Sequence, residues 1–264
     1  MKSSLSKSEL KKIKKLAQKK YRQIYKEYIA EGIKVVYEAL KANSEIKHII
    51  ISKNAKIEDK EISKIESLAQ SKSISIITVD KKDFNYISTM ENPEGIMAII
   101  KIGDYNKSGV ITLPAIYLDR INDPGNLGTI IRNAVWFGIP AVITSLESVD
   151  ILNPKVVRAS MGTIFFINYL QNINFNFFIK KYCNSGTKLF IADINGQDIS
   201  EVNVDDNNYL LVLGSESHGI SNEIKKYPHQ KVTISLLGKG ESLNVGTATG
   251  IILYEFSKKL GRRN

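Results

Sequence analysis

The sequence predicts an α/β protein in two parts: a small α/β sandwich over residues 1–104 and a larger domain over 112–264 built on a mainly parallel sheet. Three observations predict it. Strand-like apolar runs alternate with helical stretches, the order that yields sheets with helices on their faces. In the second half, runs such as Ala115–Asp119, Ala141–Thr144 and Tyr209–Leu213 are almost continuously apolar, as strands covered on both faces must be. Between the parts, Tyr105–Gly109 is polar and turn-forming and Pro114 follows, which places a linker near 103–113.

Taken in order, the elements begin with charge. Met1–Lys26 holds ten Lys or Arg against Glu9 alone, so this stretch carries nine of the ten net positive charges of the chain. Leu10, Ile13, Leu16 and Ala17 fall at helical spacing, which predicts one basic helix with a narrow apolar stripe. Lys11, Lys12, Lys15, Lys19, Lys20 and Arg22 are therefore candidate phosphate contacts for RNA. A solvated helix docked on its own domain competes with that reading. A membrane-surface helix is disfavoured because the stripe lacks Trp and Phe.

Beyond it, Ile33–Ala42 reads as a helix, Ile46–Ser52 as a strand, Lys60–Gln70 as a helix, Ile74–Val79 as a strand and Gly95–Ile102 as a third strand. The second part continues with strands at Ala115–Asp119, Ala141–Thr144, Ile164–Ile167, Leu189–Ala192, Tyr209–Leu213 and Lys231–Ile234. Helices fall after Asn126, at Pro154–Ser160, Asn176–Asn184, Ser221–Lys225, and from Ser242 toward the C-terminus. Asn126 stands where an N-cap belongs and Gly138 with Pro140 closes that helix. Ser242 is a candidate N-cap for the last helix.

Composition narrows the function. At 264 residues and 43% hydrophobic the chain can bury a real core. No apolar run approaches the roughly 18 residues that a membrane helix needs, and MKSSLSKSEL is not a secretory signal. Cys183 is the single cysteine, so disulfides and a cysteine zinc site are excluded and a cytoplasmic home is expected. No His, Asp and Glu cluster suggests a metal, and no G-x-G-x-x-G follows a strand. The net charge of +10 points to a polyanionic partner.

Three stretches place polar residues where a strand hands over to a helix: Asp119–Gly138 (DRINDPGNLGTIIRNAVWFG), Leu211–Gly219 (LVLGSESHG) and Ile234–Gly250 (ISLLGKGESLNVGTATG). In the first, Leu127, Ile130, Ile131 and Ala134 share a face and Arg132 lies roughly opposite, on a helix whose start is an anion site. In the second, Gly214 permits close approach of backbone to a ligand; Glu216 is either a first-turn helix acid or a site carboxylate, and His218 reads as incidental. In the third, Gly246, Ala248 and Gly250 imply close packing of the last helix.

In this order and spacing the three stretches resemble the signature motifs of the SpoU (TrmH) family of RNA 2'-O-ribose methyltransferases, of the SPOUT superfamily. The first part, with Glu31-Gly32 opening a helix and the Pro93-Glu94-Gly95 turn, resembles the L30e-like substrate-binding domain of ribosomal members. The resemblance implies a trefoil-knotted sheet, whereas a doubly wound one is the default expectation. It implies S-adenosylmethionine as methyl donor, held at Gly214, Ile234 and Leu243, and a catalytic set of Asn126, Arg132, Glu216, Ser242 and Asn244. Gly246 stands where many members carry serine. It further implies 2'-O-methylation of RNA, with 23S-type ribosomal RNA favoured over transfer RNA, and a homodimer. DNA is excluded by its missing 2'-hydroxyl. A non-catalytic RNA-binding assembly factor is the alternative of another class. Trp136, nearly opposite the apolar stripe, is expected to be exposed.

Overall fold

The structure, a computed structural model, describes residues 4–103, 111–216 and 218–261. The chain divides into two compact units, Met1–Asp104 with Asp150–Phe165, and Tyr105–Val149 with Phe166–Asn264.

In the first unit the expected single basic helix is two. α1 (Lys7–Lys15) starts in a capping box in which Ser6 and Glu9 satisfy each other's backbone N–H groups. The chain then turns, and α2 (Lys19–Tyr25) ends at Lys26, whose φ is +53°. Leu10, Ile13 and Leu16 are buried in a cluster with Ile29, Ile50, Ile77, Val79 and Phe84. These three residues of the apolar stripe are thus core, whereas Ala17 lies beyond α1 and is exposed.

β1 (Glu27–Glu31) follows, a strand absent from the sequence expectation. Glu27 and Glu31, which begin and end it, are both buried. Glu27 is paired with Lys12 (2.8 Å) and Lys47 (3.0 Å), and Glu31 accepts from Ser88 and from the N–H and hydroxyl of Thr89. α3 (Ile33–Lys41), β2 (Ile46–Ser52), α4 (Asp59–Ser71), β3 (Ser75–Val79), α5 (Lys81–Ile87) and β4 (Ile96–Lys101) complete the series. The sheet order is β1-β4-β2-β3, with β2 and β3 parallel and β4 antiparallel to both its neighbours. Asp150–Phe165 belongs to this unit: Asp150 pairs with Arg22, and Arg158 donates to Thr89 (3.3 Å).

The second unit contains β5 (Ala115–Asp119), α6 (Pro124–Trp136), β6 (Ala141–Thr144), β7 (Asn168–Leu170), α8 (Phe175–Tyr182), β8 (Lys188–Asp198), β9 (Tyr209–Gly214), α9 (Asn222–Lys225), β10 (Gln230–Thr233) and α10 (Val245–Lys259). A short α7 (Pro154–Ala159) lies in the stretch assigned to the first unit. The six strands run in the order β10-β8-β9-β5-β6-β7 with every pairing parallel. Both faces are covered: Tyr117, Phe175, Phe178 and Val212 lie in one cluster, and Phe190, Tyr209 and Phe256 make edge contacts in another. The strand expected at Ile164–Ile167 is instead a 3-10 turn at Thr163–Phe166. Ile164 and Ile167, three apart, are buried while Phe166 is half exposed, a spacing that suits three residues per turn rather than two.

Candidate active site

β5 and β9 lie side by side in the middle of the parallel sheet, with Asp119 opposite Gly214 at their C-terminal ends. Ligands of open α/β sheets collect at that edge. Two loops leave there, one into α6 and one running from Gly214 to Ile220. α6 is capped by Asp123, not Asn126: the Asp123 carboxylate accepts from the Asn126 N–H at 2.7 Å, and Pro124 opens the helix. Relieved of capping, the Asn126 side chain is turned to other partners. Likewise α10 begins at Val245 and its cap is Asn244, whose Oδ1 accepts from Gly246 and Thr247, while Ser242 is exposed outside the helix.

These caps bring residues of all three motifs together. Oε1 of Glu216 accepts from Asn126 Nδ2 (3.3 Å), Asn244 Nδ2 (3.1 Å) and the backbone N–H of Val245 (3.1 Å). Asn244 Nδ2 also donates to Asn126 Oδ1 at 2.7 Å. A carboxylate that collects three donors is fixed in place, and it fixes the two amides in turn. Glu216 and Asn244 are exposed and Asn126 is half-buried, so the cluster borders solvent.

Arg132 is not part of that cluster. It is exposed on α6, six residues beyond Asn126 or about 9 Å along the axis, with no hydrogen bond or ion pair to another described residue. His218 is exposed, and its N–H donates to Ser215 Oγ (3.1 Å). Gly214 cannot carry a side chain, but the crowding comes from its own loop: a Cβ there would lie 2.4 Å from the carbonyl carbon of Gly219.

The third loop, from Ile234 to Asn244, is exposed from Ser235 onward. Its start is tied to Asp198, which accepts from the Ser235 N–H (3.2 Å) and hydroxyl and from Ser200. Those hydroxyl and amide donors hold the Asp198 carboxyl far below the ordinary carboxylate range. Gly238 and Gly240 have open space where a side chain would stand, and Leu236, Leu237 and Leu243 are exposed by 67%, 98% and 48%. An apolar rim with free backbone groups suits a nucleoside-bearing ligand. Gly246 and Gly250 face Thr129 and Asn133 of α6, and Asn133 Nδ2 donates to the Gly246 carbonyl at 2.9 Å. The sequence reading missed Asn133, which looks like any polar helix residue until α10 lies against it.

In the first unit, Lys11, Lys15, Lys19 and Lys20 are exposed. Lys12 is tied to Glu27 and sits over the Tyr25 ring; Lys15 and Lys20 lie 5.0 and 6.0 Å from the Tyr21 ring centroid. Arg22 corrects the expectation. It is 2% exposed, with Nε on Asp150 (3.1 Å) and Nη1 on the carbonyls of Leu16 and Ala17. Its donors are spent inside the fold, so it is not available to a phosphate.

Residues 114–254 match the SpoU rRNA Methylase family, and residues 7–98 match the MRM3-like substrate binding domain. The 23S rRNA (guanosine(2553)-2'-O)-methyltransferase RlmP of Bacillus subtilis is 27% identical over 242 residues, covering 91% of this chain and 92% of that protein. Among solved structures, a TrmH-family RNA methyltransferase from Porphyromonas gingivalis superposes with a TM-score of 0.80 at 28% identity, covering 99% and 100% of the two chains. An AdoMet-bound rRNA methyltransferase from Sinorhizobium meliloti gives 0.82 at 27% identity, over 98% and 97%.

Proposed function

The chain belongs to the SpoU rRNA methylase family and is an S-adenosylmethionine-dependent RNA 2'-O-methyltransferase, and we propose that its substrate is a nucleotide of 23S-type ribosomal RNA. The observation that carries the reading is the Asn126–Glu216–Asn244 cluster, which joins the three motifs at the C-terminal edge of the parallel sheet.

Gly214, Ile234 and Leu243 are proposed to hold the methyl donor through backbone groups, with the exposed leucines of the Ser235–Asn244 loop covering its apolar parts. When bound, S-adenosylmethionine supplies a methyl group on a sulfonium, already activated for attack. The protein's share is positioning and electrostatics. Arg132, without a partner among the described residues, is proposed to orient a ribose 2'-hydroxyl and stabilise the negative charge that develops on its oxygen; its guanidinium is too weak an acid to serve as a ready base. Glu216 keeps Asn126 and Asn244 oriented toward the same space, and Ser242 lines it. Lys11, Lys12, Lys15, Lys19 and Lys20 are proposed as phosphate contacts.

The same reading includes a trefoil knot, a cytoplasmic home and a homodimer. Among the described residues no helix is long and apolar enough to cross a membrane. For the dimer the supporting feature is Trp136, 74% exposed on α6. The small residues of α10 do not support it, because Gly246 and Gly250 are accounted for by α6 of the same chain.

The test is to map 2'-O-methylated positions in ribosomal RNA from cells with and without this protein, and to incubate the purified protein with labelled S-adenosylmethionine and either RNA. A 23S-type site that loses its methyl group supports the proposal. Label entering transfer RNA alone would redirect it, and donor binding without transfer to either would leave an RNA-binding assembly factor.

A further inference from the structure

Arg120 follows β5 directly and adopts φ +57°, a conformation that side-chain-bearing residues seldom adopt and glycine accepts freely. Its own N–H donates to Ser145 Oγ at 2.8 Å, and the next N–H, of Ile121, donates to Ser148 Oγ at 3.2 Å. The two serines touch each other at 3.1 Å, so the turn is held firmly against the segment after β6. A glycine would satisfy that backbone with less strain. What arginine adds is its side chain, and that side chain reaches the Gly214–Ile220 loop.

Nη2 of Arg120 lies 3.3 Å from the Gly219 carbonyl and 3.4 Å from Asp119 Oδ2. Asp119, 4% exposed, accepts from the Ser221 N–H on the same oxygen at 2.8 Å, and its carbonyl accepts from the Ser215 N–H at 3.1 Å. Ser215 and Gly219 bridge each other across the loop, with the Gly219 N–H donating to the Ser215 carbonyl at 2.8 Å. Asp119 and Arg120 therefore grip both ends of the loop that presents Glu216. Nε of Arg120 is buried with no partner among the described residues, so the grip can tighten by a small shift of the guanidinium.

We propose that Arg120 is a positioning residue for methyl transfer: its guanidinium clamps the Gly219 carbonyl, sets the Gly214–Ile220 loop, and so holds Glu216 and the donor-binding backbone in register. This rests on the methyltransferase reading of the same loop, and it names a residue outside the catalytic and donor-binding residues given above. Arg120 acts on donor binding through the loop.

Arg120→Gly keeps the backbone conformation and removes the clamp; Arg120→Lys keeps the charge on a shorter reach. Amide hydrogen exchange at Ser215, Gly219 and Ser221 in the donor-free protein, with calorimetric titration of S-adenosylmethionine, reads both consequences. The expected result for Arg120→Gly is exchange faster by about tenfold at these amides and donor affinity weaker by about tenfold, with Arg120→Lys intermediate. Exchange or affinity within about twofold of wild type in Arg120→Gly overturns the proposal. If Arg120→Gly does not fold, Arg120→Lys decides by the same two readouts. Wild-type protein that fails to bind donor at all would count against the methyltransferase reading, while the exchange comparison would still judge the clamp.

Discussion

Glu216 gathers three donors on one carboxylate oxygen, and removing it strands the Asn126 Nδ2 group and the Val245 N–H at the start of α10 and leaves Asn244 Nδ2 with Asn126 alone. Glu216→Ala is therefore expected to weaken donor affinity by about tenfold and to lower kcat/KM by about a hundredfold; calorimetry and single-turnover kinetics check it, and values within twofold of wild type would remove Glu216 from the site. Arg132→Ala should behave differently. The side chain touches nothing that the fold needs, so donor affinity and thermal stability should stay near wild type while methyl transfer falls far more than tenfold, the loss that corresponds to about 1.4 kcal/mol of barrier. Arg22 is the opposite case: Arg22→Ala leaves Asp150 buried and uncompensated and should cost about 3–5 kcal/mol in urea unfolding, with the Arg22→Met/Asp150→Leu pair recovering much of it. Among ten cations in 26 residues nothing in the sequence marks Arg22 as the buried one. The caps were ambiguous for a related reason. Asp123 and Asn126, or Ser242 and Asn244, are all good cap residues, and only the path of the chain decides which is used.

At the scale of elements, the parallel strands of the second unit were legible because continuous apolar runs have few other homes, and the three loops were legible because glycine and proline punctuate them. β1 was not. Its burial depends on Lys12, Lys47, Ser88 and Thr89, residues up to 58 positions away that satisfy the two glutamates. The break between α1 and α2 was hidden because the apolar spacing runs through it unbroken. That break changes how the basic segment can be tested. Deleting residues 1–20 would remove Leu10, Ile13 and Leu16 from the core of the first unit, so loss of RNA binding would follow from unfolding alone. Replacing Lys11, Lys15, Lys19 and Lys20 with glutamine leaves the core intact. If these four contact phosphates, the slope of log affinity against log salt should fall by about 3 to 4 in magnitude, and an unchanged slope would show that this face does not meet RNA.

For the whole molecule, the sequence carries the parallel sheet through its apolar runs, but strand order and the path of the C-terminal segment depend on contacts that no local pattern encodes. Oligomeric state shows the same limit. Small residues on α10 signal close approach of another backbone without saying whose, and here α6 of the same chain supplies it. Trp136 is a stronger indicator. Isolated apolar side chains on a surface need no explanation, yet Trp136 is followed by Phe137, whose ring contacts Tyr254 of α10 at 6.4 Å between centroids, and Tyr254 is itself 52% exposed. Two packed helices thus carry exposed aromatic residues, Trp136 on one and Tyr254 on the other, a residue type enriched at protein interfaces. A homodimer through α6 and α10 would cover them. Light scattering at micromolar concentration is then expected to give about twice the chain mass of 29.6 kDa, and Trp136→Lys should return it to one chain without changing secondary structure. Base stacking is the rival use of an exposed tryptophan, and it separates cleanly: RNA would then quench Trp136 fluorescence in a protein that scatters as a monomer at every concentration.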